Sequence, residues 1–189
     1  GVQTCALPIC IMEKERPECA LTNWYIDALM KKTSEYTGKH IDVGFANYGG
    51  VRIDMPEGNV FRDDIMSMFP FNNTLYYFTL TGESLLEICN NIATRRPEVF
   101  GGLRLVIKDQ KLVSATVDGQ PIDPKKIYSV ATLDYLMSGN SWFRFGKYAI
   151  DGFNTEKPVL EAMLEYVAEL TRQGKPIEYK TDGRFTVIE

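Results

Sequence analysis

Three short segments carry side chains suited to holding a flat, polar ligand. The first is Asn47-Tyr48-Gly49-Gly50-Val51-Arg52. Glycines let the backbone turn sharply and approach a ligand with no side chain intervening. Arg52 adds a planar guanidinium whose donors match two oxygens of a phosphate or carboxylate. Asn47 offers both a donor and an acceptor. Taken alone, the run reads more simply as a turn after a strand. The second segment is Phe69-Pro70-Phe71-Asn72-Asn73, where proline stiffens the chain between two rings. It suits either a rigid corner of the core or a ring presented on a fixed backbone. The third runs from Thr132 to Phe143, through Asp134-Tyr135 and a Gly139-Asn140-Ser141 loop flanked by aromatics. Phe71 and Tyr135 could each offer a face to a heterocycle, and a stacked base is worth about 1–3 kcal/mol per ring. Aromatic residues make up 12% of the chain, however, and most rings in such a chain fill its core.

Hydrolytic machinery is harder to find. His40 is the sole histidine, so neither a nucleophilic triad nor a histidine-rich metal centre can be assembled. It follows a helix end beside Lys39, where solvent is its expected surroundings. Asp63-Asp64 reads as a favourable helix start rather than an acid/base dyad. Of the cysteines, Cys5, Cys10, Cys19 and Cys89, none forms a C-x-x-C pair. Cys89 is expected as a core thiol on a helix and the others as unpaired. No catalytic residue, metal ligand or cofactor is therefore assigned to this chain.

The net charge is −4 and no basic run exists, which argues against nucleic acid as a partner. A small anion remains compatible, because a local arginine can outweigh a mild net charge. No apolar stretch is long enough to span a membrane, and no signal peptide is visible at the start. Gly1–Ile9 resembles the translation of a sequencing-adapter oligonucleotide. Residues 1–11 are accordingly expected to be non-native or disordered, with one domain over 12–189.

Apolar spacing places a helix over Leu21 to about Tyr36, ended by Gly38. A strand over Ile41–Ala46 then delivers the glycine segment. A short helix over Arg62–Met68 precedes the Phe-Pro-Phe corner, and a strand over Asn73–Leu80 follows it. Thr81 is the expected N-cap of a helix to about Thr94, with Leu80 and Leu85 as its staple. Leu103–Ile107, Leu112–Val117 and Tyr128–Leu133 read as strands, with an Asp118-Gly119 turn between the last two. A last helix over Thr155–Arg172 and a strand over Phe185–Ile188 complete an α+β domain, with helices packed on a mixed sheet.

The three segments, in this order and spacing, resemble the C-terminal domain of the 5′-nucleotidase family, which includes UDP-sugar hydrolases and ecto-5′-nucleotidases. The likeness begins at Pro17-Glu18-Cys19-Ala20-Leu21-Thr22-Asn23 and Ile26-Asp27-Ala28. It continues through Asn47–Arg52, Gly58-Asn59-Val60, Pro70-Phe71-Asn72-Asn73, Leu80-Thr81-Gly82 and Ala131–Phe143 to the last helix. What the resemblance implies is a nucleotide-recognition domain serving a metallophosphatase domain that lies in cis or on a separate chain. That other domain would hold a divalent metal pair and the catalytic residues, and the location would be periplasmic or extracytoplasmic. By the same resemblance Asn47 touches the base, Gly49 and Gly50 form the loop, and Arg52 contacts phosphate. Phe71 and Tyr135 sandwich the base. Ser141 falls where the family usually has an aspartate for the ribose hydroxyls, which removes a charge-assisted bond worth about 1 kcal/mol or more. Arg16 lies near a further phosphate-binding arginine of the family, its register open. The isolated chain is expected to be inactive. The alternative is a binding or interaction protein that keeps the fold without nucleotide specificity.

Overall fold

The computed structural model describes residues 3–5, 18–95, 98–139 and 143–189. Its centre is a five-stranded sheet in the order β10-β4-β9-β2-β5. The strands are β2 (Val43–Ala46), β4 (Thr74–Thr81), β5 (Val99–Gly101), β9 (Ile127–Leu133) and β10 (Asp151–Pro158). β2 and β9 run parallel, with Val43 opposite Val130. β4 runs antiparallel to β9, with Leu75 opposite Leu133, and β5 antiparallel to β2, with Ala46 opposite Val99. A second sheet has the order β11-β6-β7-β8, from β6 (Leu103–Lys108), β7 (Lys111–Val117), β8 (Gln120–Pro121) and β11 (Phe185–Ile188). β1 (Gln3–Cys5) and β3 (Gly58–Val60) pair antiparallel beside them.

Helix α1 (Ala20–Thr37) lays Leu21, Tyr25, Ile26, Ala28 and Leu29 onto the core, and its end is closed by a left-handed Gly38. Gly38 donates its N–H to the Ser34 carbonyl at 2.9 Å, the αL stop expected at a helix end. α2 (Arg62–Met68) starts as its acidic pair suggests, the Phe61 N–H donating to Asp64 Oδ2 at 2.7 Å. α3 (Gly82–Thr94) is capped by Thr81, which accepts the Ser84 N–H at 3.2 Å, and Leu80 and Leu85 are both buried. α4 (Asp134–Met137) is a single turn, and α5 (Val159–Arg172) packs against α1. Between α1 and α5, Lys32 binds Glu35, Glu169 and Glu165 at 2.7, 2.8 and 3.1 Å. Arg184 reaches both Asp27 and Asp182 at 2.9 Å, fastening the segment that leads into β11 to α1.

Two expectations need correction. The last helix begins at Val159 rather than Thr155, because Asp151–Pro158 forms the edge strand β10 against β4. Pro158 sits at its end, where a missing N–H costs no ladder bond. Cys19 is disulfide-bonded rather than unpaired. Cys89 is the buried free thiol foreseen, and burial pushes its pKa up to about 12.

Candidate functional site

The topology gathers the three segments at one end of the central sheet. Parallel β2 and β9 both finish there, releasing Asn47 and Tyr135. Antiparallel β4 starts there, so the Phe69–Asn73 corner enters from the same side.

Beyond β2, Tyr48–Gly50 makes one 3₁₀ turn, with the Gly50 N–H donating to the Asn47 carbonyl at 3.0 Å. Tyr48 is buried, and its N–H donates to Glu98 Oε2 at 3.1 Å; Glu98 is only 5% exposed. A buried carboxylate just ahead of β5 therefore braces the glycine turn from below. The Asn47 side chain folds over the turn. A Cβ on Gly50 would lie 3.3 Å from Asn47 Oδ1, and one on Gly49 3.4 Å from its Nδ2. Glycine thus gives the amide room. The Arg52 N–H then donates to the Met68 carbonyl at 3.0 Å, tying the loop to the end of α2.

The Phe-Pro-Phe corner realises both of its readings, one per ring. Phe69 is buried against Tyr25, with ring centroids 4.9 Å apart. Phe71 is 43% exposed, and the Arg52 guanidinium carbon lies 5.5 Å from its ring centroid. Tyr135, in the first turn of α4, is 39% exposed. Asp134 Oδ1 accepts the Thr74 N–H at 3.1 Å and the Tyr135 N–H at 2.8 Å. One carboxylate oxygen therefore joins the segment carrying Phe71 to the turn carrying Tyr135. Phe143, Phe145, Phe45 and Phe78 form a buried aromatic cluster, Phe143 stacking on Phe145 at 4.7 Å. Ser141 and Arg16 lie outside the described residues.

Among the described residues, the buried side-chain polar atoms without a hydrogen-bond partner are Trp24 Nε1, Asn47 Oδ1, Asp54 Oδ1 and Thr74 Oγ1. All but the tryptophan belong to the loop after β2 or to the start of β4. Such an atom left unpaired costs about 1–3 kcal/mol, so these three are open to a hydrogen bond from water or a ligand. Neither Glu98 nor Asp134 carries a local sequence signal for the support it gives. An isolated glutamate ahead of Val99-Phe100 has no local signature, and the role of Asp134 rests on a contact sixty residues away in the chain.

The arrangement matches a known domain. The family model described as "5'-nucleotidase, C-terminal domain" covers residues 8–147. This chain belongs to that family. Among curated proteins, an apyrase of Tabanus yao is 25% identical over 91% of this chain and 35% of its own length. Protein UshA of Escherichia coli is 27% identical over 54% of this chain and 20% of its own. A crystal structure of a 5'-nucleotidase precursor from Thermus thermophilus superposes with a TM-score of 0.79, at 24% identity, over 90% of this chain and 36% of that one. The 5′-nucleotidase C-terminal fold is thereby shown, and the chain spans about a third or less of the length of these relatives.

Proposed function

We propose that this chain is the substrate-recognition domain of a 5′-nucleotidase-type hydrolase, and that it binds a nucleoside monophosphate or related nucleotide at the end of the sheet where β2 and β9 finish. The observation that carries this is that two half-exposed rings, Phe71 and Tyr135, the guanidinium of Arg52 over Phe71 and the amide of Asn47 all lie on segments that meet at one sheet end. Phe71 and Tyr135 offer π-faces for the base. Asn47 supplies both polarities of hydrogen bond to a base edge. Gly49 and Gly50 keep the turn low enough for close approach. Arg52, now resting on Phe71, is close enough to swing onto a phosphate attached to a stacked nucleoside. Ser141 is the residue proposed for the ribose hydroxyls.

Hydrolysis itself is assigned to a metallophosphatase domain in cis or on a separate chain, where a divalent metal pair would activate water and neutralise phosphate charge. This chain's part is to hold and orient. An oxidising, extracytoplasmic location accords with the disulfide at Cys19, and no helix among the described residues is long and apolar enough to cross a membrane. Equilibrium dialysis with AMP tests the reading. Wild type should bind saturably and Phe71→Ala more weakly; equal binding by both removes the reading, and binding by neither leaves a fold that has lost nucleotides as ligands.

A further inference from the structure

The opposite end of the central sheet holds a second polar constellation. His40 and Asp42 lead into β2, and Asp118 stands at the tip of the β7–β8 hairpin. Five residue steps of near-extended chain lead from Asp42 to Asn47, about 17 Å at ~3.3 Å per step, so the two constellations are distinct. The ligand-type atoms of His40, Asp42 and Asp118 all lie within 4.8 Å of one another. His40 Nε2 is 3.5 Å from Asp42 Oδ1.

These groups are held by different means. Asp42 is fixed: its Oδ2 accepts both the N–H and the hydroxyl of Ser129, each at 2.7 Å, which leaves Oδ1 for the imidazole. Its backbone is held too, because Gly102 (φ +71°) packs so close that a Cβ there would come within 2.1 Å of the Asp42 carbonyl oxygen. Asp118 is placed by a tight Asp-Gly turn, with φ of 49° and 73° at its two residues. It also lines a polar cleft of about 190 Å³ with Arg104, Asp182 and Arg184, which leaves its carboxylate open to water. His40 is 76% exposed. Beside Asp42 stands Lys126, more than half exposed, whose Nζ lies 3.9 Å from Asp42 Oδ1 and 4.7 Å from the Tyr128 ring centroid, while Arg104 and Arg184 share the cleft with Asp118.

We propose that His40, Asp42 and Asp118 form a binding site for a divalent transition-metal cation. One imidazole nitrogen and two carboxylates are the donor set that Zn²⁺ and Mn²⁺ accept. Ligand atoms around a tetrahedral zinc stand about 3.4 Å apart, which the His40–Asp42 separation already meets. The exposed Asp118 turn and the exposed His40 ring close the remainder, roughly an ångström of travel. The outer hydrogen bonds from Ser129 hold Asp42 as metal-ligating carboxylates are commonly held. Lys126 balances Asp42 until the cation displaces it.

Isothermal titration of Zn²⁺ into the chelator-treated, tag-free 189-residue chain tests the proposal. One saturable equivalent is expected, weakened tenfold or more by His40→Ala and by Asp118→Asn. Both residues are exposed, so the fold does not depend on them, and Asp63→Asn, an exposed aspartate on α2, serves as control with affinity within twofold of wild type. Absence of saturable binding in the wild type, or less than tenfold weakening in either variant, overturns the site.

Discussion

Arg52 is assigned to phosphate, yet it rests on Phe71, and the two roles separate when adenosine and AMP are compared. Replacing it by methionine removes the charge and keeps an unbranched apolar chain. A hydrogen-bonded charge pair contributes about 1.5–3 kcal/mol, and because Arg52 is solvent-exposed, the lower end applies. At ~1.4 kcal/mol per decade, AMP should bind Arg52→Met about tenfold more weakly. Adenosine has no phosphate to lose. An exposed cation–π contact such as that over Phe71 is worth about 0.5–1 kcal/mol, and a base stacking on that face must displace it. Adenosine should therefore bind the variant as well as wild type, or up to about fivefold better. Phe71→Ala should weaken both ligands alike, by about 1–3 kcal/mol. Calorimetric titration of both ligands into the three proteins measures all of these terms. If Arg52→Met weakens adenosine and AMP by the same factor, Arg52 acts only as a support for the ring and the phosphate assignment is refuted.

Other consequences can be measured independently. The isolated chain should release no phosphate from AMP in the presence of added divalent metals; turnover by a preparation free of contaminating phosphatase would refute the division of labour between domains. Gly102→Ala should cost at least about 2 kcal/mol in urea unfolding, since it combines a positive φ with a clash against the Asp42 carbonyl; a loss under 1 kcal/mol, below about half that figure, would contradict the packing described. The α1–α5 ion cluster should give an acid limb in thermal melting. Lys31 and Lys32 hold Glu169 below its usual value of 4.5, while burial opposes and three carboxylates outweigh it to raise Lys32 above 10.5. A depressed carboxylate contributes stability above its unfolded pKa and loses it as pH falls through the folded one; the raised lysine loses its share only above 10.5. The melting temperature should thus fall more steeply below pH 4.5 in wild type than in Lys32→Met, and parallel acid limbs would rule this out.

What could be read from residues alone follows from how local each signal is. The Thr81 cap, the Gly38 stop and the Asp64 bond at the start of α2 depend on neighbours within a few positions, and each appears where expected. β10 escaped because its sequence, DGFNTEKP, has the polarity of a loop; it pairs only because β4 offers it an edge. β5 is three residues long and antiparallel to a strand more than fifty residues earlier. The aromatic corner was legible as two alternatives, and only packing against Tyr25 decides which ring goes inward. Glu98 under the glycine turn, and the meeting of His40 and Asp42 with a hairpin tip, are products of topology that no spacing encodes.

Asp134 has a mechanical consequence. Because one oxygen accepts the backbone N–H groups of both Thr74 and Tyr135, the start of β4 is tied to the first turn of α4 by a carboxylate that belongs to neither exposed ring. On the proposed reading, tyrosine replaced by phenylalanine or tryptophan at 135 would alter the grip on a base, whereas Asp134→Ala would loosen the tie between the two segments. Ring chemistry at this end of the sheet can therefore change while the tie between the two segments stays in place.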